Sequence, residues 1–220
     1  MKKQFDAVLW DFDGVIVDSE RLWLEAAPLF YEKQVGTRIS SQQQEKFVGG
    51  SLRNAWTILF QEYGLKSDFA QFEKDCVEFA IREMYPNVNL IPGVWDTIKM
   101  LQSHGVKQAI GTSGHRGWFD PTFERLGLAE FFDIVVASED VYGVGKPAPD
   151  IFLCCAELLQ VETTKCLVIE DSANGCVAGK SAGAEVWGFR NGWNEKQDLS
   201  MADWEFSSFL EMLEKMKKVF

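Results

Sequence analysis

"FDAVLWDFDGVIVDSE", residues 5–20, is the stretch on which the reading of this chain turns. Its apolar run, residues 7–10, has the length and composition of a buried strand, yet it stops at two acids, Asp11 and Asp13, with Gly14 directly behind them. In extended backbone, residues two apart point the same way, so both carboxylates can face one ligand. Gly14 lets the chain turn sharply after them.

Working outward, four further apolar runs read as buried strands: 108–111, 133–137, 166–170 and 185–189. Helical periodicity lies between the later ones. Val94, Ile98 and Leu101 recur at helical spacing before a stop at Gly105; "PTFERLG" is a shorter case. In "APDIFLCCAELLQ", Ile151, Cys155, Leu158 and Leu159 are expected on one face behind a capping Asp150. Strand alternating with helix predicts an α/β fold with a parallel sheet covered on both faces. Residues 20–90 differ: they carry no strand pattern, and Leu22, Leu29 and Phe30, then Trp56, Leu59, Phe60 and Tyr63, then Phe72, Cys76 and Phe79 follow helical intervals. A helical insertion after the first strand is expected, with a discontinuous core of residues 1–18 and 93–220 and a cap of residues 19–92.

The chain has 220 residues and a net charge of −11, which argues against nucleic acid or an anionic membrane as partner. No signal peptide and no run long enough to span a bilayer is read, so a cytoplasmic monomer acting on a small molecule is expected. The five cysteines form no CxxC pair and read as reduced core thiols.

In an open parallel sheet, ligands bind beyond the carboxyl ends of the strands. Those ends carry Asp11 and Asp13, then Thr112 and Ser113, then Lys146 in "GVGKPAPD", then Glu170 and Asp171. Four carboxylates crowded together would shift one another's pKa unless a cation joined them, and hard oxygen donors without histidine point to Mg²⁺. The chemistry that suits the set is phosphoryl transfer: carboxylates for metal and nucleophile, Lys146 and the Thr112 hydroxyl for the phosphoryl oxygens. Each piece alone has an ordinary reading. Paired acids cap turns, a lone lysine is usually solvated, and Asp171 or Ser172 could simply cap a helix. Their order and shared placement at strand ends favour the set.

In that order, "DFDGVIVDS", Thr112 in "AIGTSG", Lys146 in "GKPAPD" and "VIEDSANG" resemble the four motifs of the haloacid dehalogenase superfamily, in its phosphatase and β-phosphoglucomutase-like branch. The resemblance implies a Rossmann-like core with an α-helical cap inserted after the first motif. It implies Asp11 as the nucleophile that forms an aspartyl-phosphate, and Asp13 as general acid and base. Thr112, Ser113 and Lys146 would bind phosphate. Mg²⁺ would be held by the Asp11 carboxylate, the Asp13 backbone carbonyl and Asp171, with Glu170 in or beside the shell. The dehalogenases of that superfamily lack the second aspartate, so Asp13 points to phosphate esters. Where β-phosphoglucomutases have a gating histidine in the first cap helix, this chain has Trp23, which favours water as final acceptor and hence a phosphatase over a mutase. Substrate choice is expected from the cap segment "VGGSLRNAW" with Arg53, from His115 and Arg116, and from Glu20; Trp23, Trp56 and Trp118 are candidates for the pocket wall. A sugar phosphate is the favoured substrate. A receiver-like signalling module and a catalytically idle binding protein are the readings outside phosphatase and mutase.

Overall fold

A computed structural model describes residues 5–40, 43, 45–47 and 52–220. Strand β1 (Ala7–Trp10) leads into helices α1 (Glu20–Val35), α2 (Leu52–Tyr63) and α3 (Phe69–Phe79), the last running into a wider turn over Ala80–Met84. Helix α4 (Val94–Ser103), β2 (Lys107–Gly111), α5 (Arg116–Arg125), β3 (Ile134–Val136) and α6 (Asp150–Leu159) follow. The chain ends with β4 (Cys166–Glu170), α7 (Ala173–Ser181), β5 (Glu185–Phe189), β6 (Trp204–Phe206) and α8 (Phe209–Val219).

The six strands form one parallel sheet in the order β3-β2-β1-β4-β5-β6. The two central strands, β1 and β4, are buried along their whole length because both faces of the sheet are covered. Alternation divides the side chains: Val8 and Trp10, with Leu167 and Ile169, pack beneath α4, α5 and α8. Ala7 and Leu9, with Cys166 and Val168, pack beneath α6 and α7. Strand order reverses between β1 and β4, so the crevice of an open α/β sheet falls between their carboxyl ends.

Among the described residues, 20–87 hold helices and no strand, and Phe30, Tyr31, Leu59, Phe72 and Cys76 build a core of their own. The chain leaves and re-enters the sheet through one hydrogen-bonded pair of segments: the Asp18 amide donates to Asn89 O (2.9 Å) and the Ile91 amide to Ile16 O (2.9 Å).

Several expectations need correction. Leu158 is 53% exposed, and Leu29 and Phe60 also face outward. Asp150 is the first residue of α6, Pro149 occupies the cap position, and no side chain caps that end. Of the two caps the sequence offered for α7, Ser172 takes the role, accepting from the Gly175 amide. Strand β6 was not expected; it is a three-residue edge strand with two exposed side chains, too short for a periodic signal. All five cysteines are free thiols. No helix among the described residues is long and apolar enough to cross a membrane.

Candidate active site

The Asp11 amide continues the β1 ladder by donating to Ile169 O (2.9 Å), so the first acid sits at the mouth of the crevice. Phe12 turns the other way and packs edge-on against Phe119, with ring centroids 4.5 Å apart. Gly14 then adopts φ +81°, and a Cβ there would lie 2.2 Å from Asp171 Oδ2. Only glycine permits both the turn and that approach. The Asn191 amide group ties the two loops together, donating to Asp171 Oδ2 (2.8 Å) and Gly14 O (3.0 Å).

Asp11, Asp13, Thr112, Ser113, Lys146, Glu170 and Asp171 all line one cavity of about 160 Å³, and Glu20 joins them from α1. Lys146 is buried between Asp11 and Glu170, donating to a carboxylate oxygen of each, 2.6 Å away in the case of Glu170. The other Glu170 oxygen accepts from the Asp171 amide, the Ser172 amide and the Ser172 hydroxyl, each at 2.9 Å. Glu170 therefore props the lysine and the Asp171 loop. A Cβ on Gly175 would lie 1.8 Å from its carboxyl carbon, so α7 must begin with a bare backbone there.

Five carboxyls against one ammonium is an unbalanced set, and the pKa shifts say so. Burial raises the Asp11 carboxyl well above its ordinary value; Lys146 pulls it back, while Glu170 and Asp13 push it further up. Asp171 is raised by burial and by Glu20, Glu170 and Asp11. Burial, then Asp13 and Glu170, pushes Glu20 up to about 7. Burial would lower the Lys146 ammonium, but Asp11 and Glu170 outweigh it and raise it.

Asp13 has partners that its sequence neighbourhood does not announce. Its Oδ1 accepts from the Ser19 hydroxyl (2.6 Å) and the Tyr85 hydroxyl (2.7 Å), the latter reaching back from the far end of the helical insertion. Burial raises the Asp13 carboxyl, and these two bonds oppose the rise. Trp23 does not meet Asp13 directly; its indole N–H donates to Tyr85 Oη at 3.3 Å. The Arg125 guanidinium fixes that end of the insertion through Tyr85 O (3.0 Å) and Val88 O (2.6 Å).

After β2, the Thr112 hydroxyl accepts from the Gly114 amide at 2.8 Å. A Cβ on Gly114 would lie 2.9 Å from Asp13 Oδ2, 3.0 Å from Thr112 Oγ1 and 3.2 Å from Trp118 Nε1, so those three groups surround one small space. Ser113 Oγ and Trp118 Nε1 are buried without a protein partner among the described residues. Buried polar groups of this kind are normally answered by something bound. Above the polar floor the wall is apolar, with Trp23, Leu24, Pro28, Tyr31 and Phe47 among its residues.

Other candidates lie elsewhere. Arg53 is exposed with its guanidinium 3.7 Å over the Phe69 ring, and the start of its segment, residues 48–51, lies outside the described residues. His115 caps α5 by accepting from the Gly117 amide (2.9 Å), and its other nitrogen faces Glu139 at 3.4 Å. Arg116 pairs with Asp140. Trp56 stacks on Phe60 and donates to Ser67 O, away from the cavity.

Among the described residues, no three His, Cys, Asp or Glu side chains form a ready metal cage. Mg²⁺ does not need one, since it commonly takes one or two carboxylates and keeps several waters. Asp11 and Asp171, each raised above its ordinary pKa first by burial and then by neighbouring carboxyls, fit that donor set.

A sequence model of the haloacid dehalogenase-like hydrolases matches residues 8–189. A phosphorylated carbohydrates phosphatase of Thermotoga maritima is 31% identical over 195 residues, 88% of this chain and 89% of that protein. Among solved structures, a candidate β-phosphoglucomutase from Thermotoga maritima superposes with a TM-score of 0.75 at 31% identity, covering 98% of this chain and 100% of that one. CbbY from Rhodobacter sphaeroides, solved with xylulose-(1,5)bisphosphate, gives a TM-score of 0.80 at 22% identity over 94% of this chain and 96% of that one.

Proposed function

The chain belongs to the haloacid dehalogenase-like hydrolase family, and we propose that it is a Mg²⁺-dependent phosphatase of small phosphorylated metabolites, with a sugar phosphate as the favoured substrate. The relative named as a phosphorylated carbohydrates phosphatase supports that substrate class. The observation that carries the reading is the meeting of Asp11, Asp13, Thr112 and Lys146 around one small cavity, with two buried polar groups left for a ligand to satisfy.

In this reading the Asp11 carboxylate attacks phosphorus and becomes an aspartyl-phosphate. Lys146 holds Asp11 in place and offers positive charge to the phosphoryl oxygens. The Thr112 and Ser113 hydroxyls line the same floor and supply hydrogen bonds. Asp13 gives a proton to the leaving oxygen and then takes one from water as the aspartyl-phosphate is hydrolysed; Ser19 and Tyr85 hold the carboxyl in position. Asp11, Asp171 and the Asp13 carbonyl would hold Mg²⁺, with Glu170 behind them. When bound, the ion neutralises the crowded carboxylates and the charge that builds up on the phosphoryl group.

Phosphate release from a panel of phosphorylated metabolites tests the proposal. Release should require Mg²⁺, stop with a chelator, and be lost in Asp11→Asn. Isomerisation of a hexose phosphate with phosphate retained would instead establish a mutase.

A further inference from the structure

One carboxylate of the cavity stands without a partner. Glu20, the first residue of α1, faces the same space as Asp13, and no protein donor reaches it among the described residues. The wall around it is apolar, formed by Trp23, Leu24, Pro28, Phe47 and Leu52. Lys146 is the only cation in the described lining, and it is engaged by Asp11 and Glu170. Of the basic residues on neighbouring elements, Arg21 pairs with Glu25, Lys46 with Glu62, Arg53 lies over Phe69 and Arg116 pairs with Asp140, and none of these, nor Lys33 or Arg38, lines the cavity. The positions of that region outside the described residues, 41, 42, 44 and 48–51, carry Ser, Gln, Val and Gly in the sequence, so they add no cation.

A leaving group that carried a second anion would meet an unpaired carboxylate and an apolar wall, and would find no counter-charge. Both effects are unfavourable where water is scarce. A hydroxyl meets neither obstacle, because it can donate to the Glu20 carboxylate. We infer that this site takes esters in which the phosphoryl group is the only anion, and that Glu20 enforces the choice. It accepts a hydrogen bond from a neutral leaving group and repels a carboxylate or second phosphate. The inference deepens the phosphatase reading and rests on it.

The test compares two three-carbon esters, glycerol 3-phosphate and 3-phosphoglycerate, which differ at the end remote from phosphate by an alcohol against a carboxylate. With Mg²⁺ at pH 8, kcat/KM should favour glycerol 3-phosphate by on the order of 100-fold, the size expected of one uncompensated charge contact at close range. Glu20→Gln should bring the ratio to within about 10-fold, chiefly by improving the carboxylate ester. Equal turnover of the two esters by the unaltered protein would overturn the inference, as would an unchanged ratio in Glu20→Gln. Binding of both esters to Asp11→Asn, measured by calorimetry, separates this inference from the phosphatase reading. If no ester, p-nitrophenyl phosphate included, released phosphate, the phosphatase reading would fall. A preference for the alcohol that persisted in binding would still support the choice made by Glu20, and equal binding would overturn it.

Discussion

In the proposed mechanism, Tyr85 and Gly114 are single residues on which the chemistry would depend. Tyr85 donates to Asp13 while standing outside the sheet, so removing its hydroxyl leaves the acid present but less well aimed. Tyr85→Phe should slow hydrolysis of alkyl phosphates by about 10- to 100-fold, within the usual range for general acid catalysis. Its kcat/KM for p-nitrophenyl phosphate should change little, because that leaving group needs no proton and kcat/KM does not report the later hydrolysis of the aspartyl-phosphate. A uniform loss of kcat/KM across both ester types would show that Tyr85 only supports the fold. Gly114→Ala places a methyl in the space ringed by Asp13, Thr112 and Trp118. Turnover should fall at least about 100-fold, since small misplacements at a reacting centre cost that much, while the melting temperature moves little. The acids were legible because strand ends declare themselves locally. Tyr85, Ser19 and Asn191 were not, because each meets its partner only after folding; Tyr85 and Asp13 are 72 residues apart. Arg53 is a case of another kind. Its charge suggested a ligand, and in the folded chain the guanidinium lies over the Phe69 ring, a contact the sequence does not announce.

At the level of elements, the helical insertion carries its own apolar centre. Phe72 is fully buried there against Phe30 and Tyr31. Phe72→Ala should cost about 3–5 kcal/mol of local stability. Hydrogen exchange should then quicken in α2 and α3 while the amides of β1 and β4 stay protected; equal loosening of both would mean that the two parts unfold as one. We further propose that the insertion moves as a cap, flexing near Asp18–Ser19 and Pro92–Gly93. Ser19 bonds to Asp13, so such motion would reach the acid directly. A disulfide that locks those crossings should lower kcat, and unchanged kinetics under oxidising conditions would exclude gating. Five of the six strands were readable because each carries a run of apolar residues, the central pair β1 and β4 being buried along their whole length. Strand β6 lies at the edge and is held as much by loop bonds as by its side chains, including Asp203 to the Val186 amide and Arg190 to Glu205. Helical spacing overshot at Leu29, Phe60 and Leu158, where periodicity marks a stripe wider than the contact surface.

Across the molecule, the crowded carboxyls would link the proposed metal to protons and stability. Without metal, the raised pKa values of Asp11 and Asp171 mean that the folded chain binds more protons than the unfolded chain from about pH 4 upward, where ordinary aspartates ionise. Their contribution to stability is therefore present at low pH and lost as pH rises toward the folded values. The rise in melting temperature produced by Mg²⁺ should accordingly be larger at pH 8 than at pH 5, as expected when ligands must lose protons to bind. Scanning calorimetry with and without Mg²⁺ checks this, and a gain independent of pH would contradict it. The side-by-side departure and return of the chain at residues 16–18 and 89–91 has a consequence of another kind. A segment whose two ends are neighbours can be exchanged for another of different length without disturbing strand register. Lineages built on this plan can thus trade one roof for another while the ground-floor chemistry is inherited intact.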